Sequence, residues 1–127
     1  FGYSKYQEVM MTTHELIYVI DGRLLTKEDN IKDVELSSAF ASDMMSHVLA
    51  FANNKAVLIT ALYNAQSLRT ADLLGISCLI LIGQNDPDKD FIELANDLEI
   101  TLIQSPYSTF VTCGMLYSAG FTGIKKS

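Results

Sequence analysis

Across residues 55–113 the chain alternates short apolar runs with amphipathic segments of helical length. The runs are Ala56-Val57-Leu58-Ile59-Thr60, then Ser77-Cys78-Leu79-Ile80-Leu81-Ile82-Gly83, then Ile100-Thr101-Leu102-Ile103-Gln104. Residues 67–74, 91–98 and 109–117 are the intervening and following segments. A strand without polar alternation needs cover on both sheet faces, and a helix-length amphipathic segment between two such strands supplies it. The pattern predicts an α/β fold of three layers, with helices on both faces of a mostly parallel sheet of about four strands. Right-handed crossovers would join those strands.

The length of 127 residues and 49% hydrophobic content suit one core. We read residues 12–127 as a single domain, preceded by an N-terminal arm or appended segment over residues 1–11. A net charge of −6 excludes a nucleic-acid or anionic-membrane surface, which needs clustered Lys and Arg. The basic pair Lys125-Lys126 at the C-terminus reads as a solubilising end. No apolar run approaches the ~20 residues that span a bilayer, and the first residues lack the order of a secretory signal. Cys78 falls in a predicted strand and Cys113 in a predicted helix, so both read as unpaired, buried-type thiols. The expected setting is a reduced cytoplasm.

Local signals place the elements. Thr12 and Glu15 have capping-box spacing ahead of the apolar Leu16, Ile17, Val19 and Ile20. Asp21-Gly22 ends that helix, Arg23-Leu24-Leu25 is a short strand candidate, and residues 27–32 form a charged connector. Residues 34–42 read as the first strand of the main sheet, with Asp43 as N-cap of the next helix. That helix would bury Met44, Met45, Val48, Leu49 and Phe51, and being apolar over more than one face it is the expected dimer surface. Asn64 or Gln66 opens the following helix, and Gly75 closes it in the left-handed conformation. A polar loop over residues 84–88 puts Pro87 in the first turn of a helix over residues 88–98. Residues 100–104 are read as the last strand, followed by a final helix ending at Gly120.

In such a sheet, ligands gather at the carboxyl ends of the strands. Here that edge comprises Ser42-Asp43 and residues 60–64, 83–85 and 105–109. The expected ligand contacts are Thr60, Asn64, Gly83, Gln84, Ser105 and Ser108, whose hydroxyls, amides and backbone suit a neutral ligand or a phosphate. No dinucleotide or nucleotide-loop fingerprint is present. His14 and His47 lack partners at metal-ligand spacing. Asp86, Asp88 and Asp90 read as dipole-matched residues of a solvated helix start rather than a cation site. Ser, Cys and His are too dispersed to form a nucleophile and base. The sequence therefore predicts no catalytic residue, no metal and no cofactor.

Four segments carry a family resemblance: Gly75 through Gly83 followed by Asp86-Pro87-Asp88; Gln104-Ser105-Pro106-Tyr107-Ser108-Thr109-Phe110; Leu24-Leu25-Thr26; and Ala41-Ser42-Asp43-Met44-Met45. Through these, residues 12–119 resemble the DRTGG domain, nearest to the short hydrogenase-associated form. The family's Gly-Asp-Arg segment would fall near Leu62-Tyr63-Asn64, where nothing matches. Its Thr-Gly-Gly would fall at Ile82-Gly83-Gln84, where Gly83 alone is kept. The resemblance implies a fold like the amino-terminal domain of HPr kinase/phosphorylase, with chemistry carried by other domains in larger relatives. Together these readings predict a non-catalytic regulatory or assembly module, homodimeric, acting on a partner enzyme or sensing a metabolite. The alternative is a nucleotide- or phosphate-binding domain that uses the strand ends. A piece of a larger enzyme is the third reading.

Overall fold

Successive residues of each central strand feed opposite faces of one sheet, as a pleated strand requires. Leu58, Leu79, Leu81 and Leu102 pack into one hydrophobic cluster, while Val57, Ile59, Cys78, Ile80 and Ile103 pack into a second. The computed structural model describes residues 10–124. In chain order the elements are β1 (Met11–Thr12), α1 (Thr13–Val19), β2 (Arg23–Leu24), β3 (Glu35–Leu36), β4 (Ser38–Ala41) and α2 (Met45–Phe51). They continue with β5 (Ala56–Thr60), α3 (Ala65–Leu74), β6 (Cys78–Ile82), α4 (Lys89–Asp97), β7 (Thr101–Ser105), α5 (Thr109–Ser118) and β8 (Thr122–Gly123). The main sheet has the order β2-β7-β6-β5-β4-β8, and β1 pairs with β3 in a separate ribbon.

The expected α/β layering and parallel sheet are present. Strands β4 to β7 run parallel, each beside its predecessor. Their crossovers α2, α3 and α4 cover one face through Met45, Val48, Leu68, Ala71, Phe91 and Ala95. After β7 the chain travels back across the sheet to place β8 parallel to β4 at the far edge. A right-handed crossover that reverses its direction of travel must use the other face. There α5 joins α1, burying Leu116 with Leu16 and Ile20.

Local chemistry explains most element ends. Thr12 Oγ1 accepts from the Glu15 amide at 3.2 Å, and Glu15 Oε1 accepts from the Thr12 amide at 2.9 Å. The Thr12 backbone amide, and after it the Thr12 hydroxyl, hold the Glu15 carboxyl below the usual carboxylate range. Asn64 Oδ1 caps α3 by accepting from Ser67 N at 3.3 Å. Gly75 ends that helix at φ 73, a conformation free of strain only without a side chain.

Several expectations are corrected. Asp43 is not the N-cap of α2; Met44 occupies that position without a side-chain cap. The Asp43 carboxylate instead accepts from Thr60 Oγ1 at 2.8 Å and Ala61 N at 2.7 Å, two donors better placed at the exit of β5. Residues 34–42 are not one strand. They divide at Ser37 between β3, which pairs with β1, and β4 in the main sheet. Residues 100–104 are not the last strand, because buried Phe121 anchors the chain and β8 follows. Pro87 precedes the cap Asp88 rather than entering α4. Met44 and Leu49 are exposed, since α2 turns Met45 and Val48 inward. Met11, at the end of the expected arm, pairs with Leu36 and is buried. The rest of that arm up to residue 9, and the pair Lys125-Lys126, lie outside the described residues.

Two measurements test this framework. Asn64→Ala should lower stability by about 1 kcal/mol in urea titration; an unchanged midpoint would remove Asn64 from the cap. Cys78 and Cys113 are both unpaired, and burial pushes the Cys78 thiol up to about 12. At mildly alkaline pH a small disulfide reagent should reach Cys78 far more slowly in the native protein than in the unfolded protein. Equal reaction rates would contradict the burial of β6.

Candidate functional site

At the carboxyl ends of β6 and β7 the two following loops part company. The loop after β6 leads to α4 on one face, and the loop after β7 leads to α5 on the other. Diverging connections leave a crevice between adjacent strand ends, the usual ligand position in open α/β sheets. A cleft of about 320 Å³ occupies this place, lined by Asp21, Arg23, Gly83, Gln84, Asp86, Gln104, Ser105 and Pro106.

The wall of this cleft is a hydrogen-bond network centred on Gln104. The antiparallel edge strand β2 pairs Arg23 with Gln104. Arg23 Nη2 donates to Gln104 Oε1 at 2.7 Å and to Asp86 Oδ1 at 2.9 Å. Gln104 Nε2 donates to the Asn85 carbonyl at 2.8 Å and to the Tyr63 hydroxyl at 3.2 Å. The Tyr63 hydroxyl in turn donates to the Gly83 carbonyl at 3.3 Å, and its ring stacks on Phe91. One buried amide thus ties together the loop after β5, the loop after β6 and the edge strand. Gly83 sits at φ 117, where an L side chain would be strained, so the turn out of β6 depends on glycine.

A second tie joins the end of α1 to the loop after β7. Asp21, at φ 53, ends the α1 turn and accepts from the Tyr107 hydroxyl at 2.7 Å. That hydrogen bond, with the adjacent negative charge, raises the Tyr107 phenol above its ordinary value. Ser105 Oγ is buried, sharing a 2.7 Å hydrogen bond with Thr112 Oγ1 and accepting from Tyr107 N at 3.2 Å.

The six contacts expected from sequence divide three ways. Gly83, Gln84 and Ser105 line the crevice. Asn64 lines a separate cleft of about 300 Å³ with Tyr63, Ala65, Asp88, Asp90, Phe91 and Leu94. Thr60 is held by Asp43, and Ser108 caps α5 by accepting from Val111 N at 3.2 Å, so neither belongs to these clefts. Sequence reasoning missed Asp21, Arg23, Asp86 and Gln104 as cleft residues. The one available signal was the short β2 candidate, which carries Arg23 to the sheet edge.

Chemically, the crevice offers one guanidinium, two carboxylates already hydrogen-bonded, the Gln104 amide and Ser105 hydroxyl engaged by neighbouring groups, and the exposed side chain of Gln84. No group of three His, Cys, Asp or Glu side chains converges for a metal among the described residues. The arrangement can bind and orient a polar molecule. It presents no nucleophile beside a base.

Parallel strands wound in one direction and closed by a reverse crossover make this an open α/β domain with a crevice at its strand ends. The sequence model described as the DRTGG domain matches residues 15–119, and the chain belongs to that family. Comparison with curated proteins finds no match. Among solved structures, the chain is similar to the CBS and DRTGG domains of the regulatory region of the Clostridium perfringens pyrophosphatase, solved with its activator diadenosine tetraphosphate. That similarity has a TM-score of 0.68 at 20% identity, over 83% of this chain and 45% of the other. The shared feature is the fold, and the present chain spans less than half of that structure.

The network predicts unequal contributions. Gln104→Ala should destabilise by about 1–3 kcal/mol, because it removes a buried side chain together with its hydrogen bonds to Arg23, Asn85 and Tyr63. Asp86→Ala should cost less than about 1 kcal/mol, since the Arg23–Asp86 pair is exposed. Equal losses in urea denaturation would contradict Gln104 as the centre.

Proposed function

We propose that this DRTGG domain is a non-catalytic regulatory module, homodimeric, that acts through contact with a partner enzyme. The observation that carries this reading is the internal engagement of the strand-end polar groups. Asp43 holds Thr60, Asn64 and Ser108 cap helices, Ser105 binds Thr112, and Gln104 is fully occupied. These contacts use the groups' hydrogen bonds within the fold, and none of them joins a hydroxyl to an imidazole or amine base, so together they shape a surface. The apolar side chains Phe110, Val111 and Tyr117 on α5, and Met44 and Leu49 at the start of and within α2, supply contact surface instead. Two unpaired thiols fit a reducing cytoplasm, and no helix among the described residues is long and apolar enough to cross a membrane.

A second reading is favoured by the crevice itself. Its position between β6 and β7, and the guanidinium of Arg23 at its wall, suit a nucleotide or phosphate held by Gly83, Gln84 and Ser105. In that reading the module senses a metabolite and passes the signal to its partner. The activator in the pyrophosphatase regulatory region makes an adenine nucleotide the natural first probe.

Native mass spectrometry of freshly purified protein, alone and with millimolar ATP or diadenosine tetraphosphate, distinguishes the two. A dimer that carries no adduct and ignores the added nucleotide supports regulation by contact. An adduct lost in Arg23→Ala supports sensing at the crevice. Turnover of the nucleotide, with release of phosphate, would overturn the non-catalytic reading.

A further inference from the structure

Helix α5 is unlike its neighbours. Its sequence, Thr109–Ser118, holds no Asp, Glu, Lys, Arg or His, whereas each other α-helix holds at least one. A helix apolar on all sides belongs in an interior. Yet α5 buries only the side of Thr112 and Leu116, leaving Phe110 85% exposed and Tyr117 78% exposed. Phe110, Cys113, Gly114 and Tyr117 follow the i, i+3, i+4, i+7 spacing of a single helical stripe. Gly114, near its middle, has open space where a side chain would stand.

The two ends of this stripe differ in shape. Phe110 projects at the amino-terminal end. At the other end, Cys113, Leu116 and Tyr117 border an apolar groove of about 140 Å³, completed by Ile59, Phe121 and the β4 and β8 edge. A knob and a hole of matching apolar chemistry therefore lie on one helix, at opposite ends.

We propose that α5 is the homodimer face. Two copies pack their α5 helices antiparallel about a two-fold axis near Gly114, each Phe110 entering the groove beside the other's Tyr117. The inference rests on the assembly reading above and names its surface. A two-fold contact requires that the patch touching and the patch touched both occur on the same surface, which the stripe satisfies. Charge selects the same occupant. Two copies each carrying −6 repel, so they meet most favourably where neither presents a charge. A neutral stripe against its own copy desolvates no ion. The absence of a side chain at Gly114 allows the helices to approach closely at the axis.

The test is sedimentation velocity on the full chain, comparing wild type with Phe110→Glu and with Leu49→Glu on α2, alongside circular dichroism to confirm folding. Phe110→Glu should weaken dimerisation by about tenfold or more, and Leu49→Glu should leave it unchanged. In a Cys113→Ser background, Gly114→Cys should form an intermolecular disulfide on mild oxidation, because the bond needs Cα atoms within about 7 Å. A dimer that survives Phe110→Glu but dissociates with Leu49→Glu would overturn the α5 face and leave the assembly reading intact. A wild-type monomer would overturn the second copy as occupant of α5. The nucleotide and turnover arms of the native mass spectrometry then judge the regulatory reading separately.

Discussion

Parallel strands cannot be joined by tight hairpins, so every step across this sheet needs a crossover of fixed hand. That constraint organises the molecule. While the chain steps from β4 to β7, right-handedness keeps α2, α3 and α4 on one face. When it turns back to lay β8 beside β4, the same rule sends α5 to the opposite face. The crevice between β6 and β7 and the position of α5 both follow from this single reversal.

The reversal also places the two surfaces of interest on one connection. Ser105 and Pro106 line the crevice, and Ser108 begins α5 two residues later. The buried Ser105–Thr112 hydrogen bond fastens the strand end to the first turns of the helix. A ligand in the crevice and a protein on α5 would thus bear on the same rigid junction. This is the geometry through which two binding events can share free energy.

The local signals were legible in sequence. The Thr12–Glu15 box, the Asn64 cap and the Gly75 terminator each depend on residues within one helical turn, and the structure has all three. The apolar runs 56–60 and 100–104 revealed strands because both faces of the sheet are covered. What the sequence hid was non-local. Arg23 meets Asp86 across 63 positions and Gln104 across 81, and no pattern in either segment announces the other. Asp43 has the spacing of a helix cap, yet Thr60 and Ala61 outcompete the α2 amides for its carboxylate. The two-residue strands β2 and β8 are too short to show a period. Without β2, Arg23 had no reason to stand at the crevice.

The position of β8 bears on how the molecule forms. It is the last element of the described chain, yet its partner β4 comes from the first half. During synthesis the β4 edge has no neighbour on that side until Thr122 and Gly123 emerge. Phe121 cannot close the second cluster before then. Contacts this distant in sequence slow folding, and an unpaired strand edge is open to other chains meanwhile. Sheet closure at this edge is therefore a late event, and truncation just before Phe121 removes both the edge strand and its hydrophobic anchor.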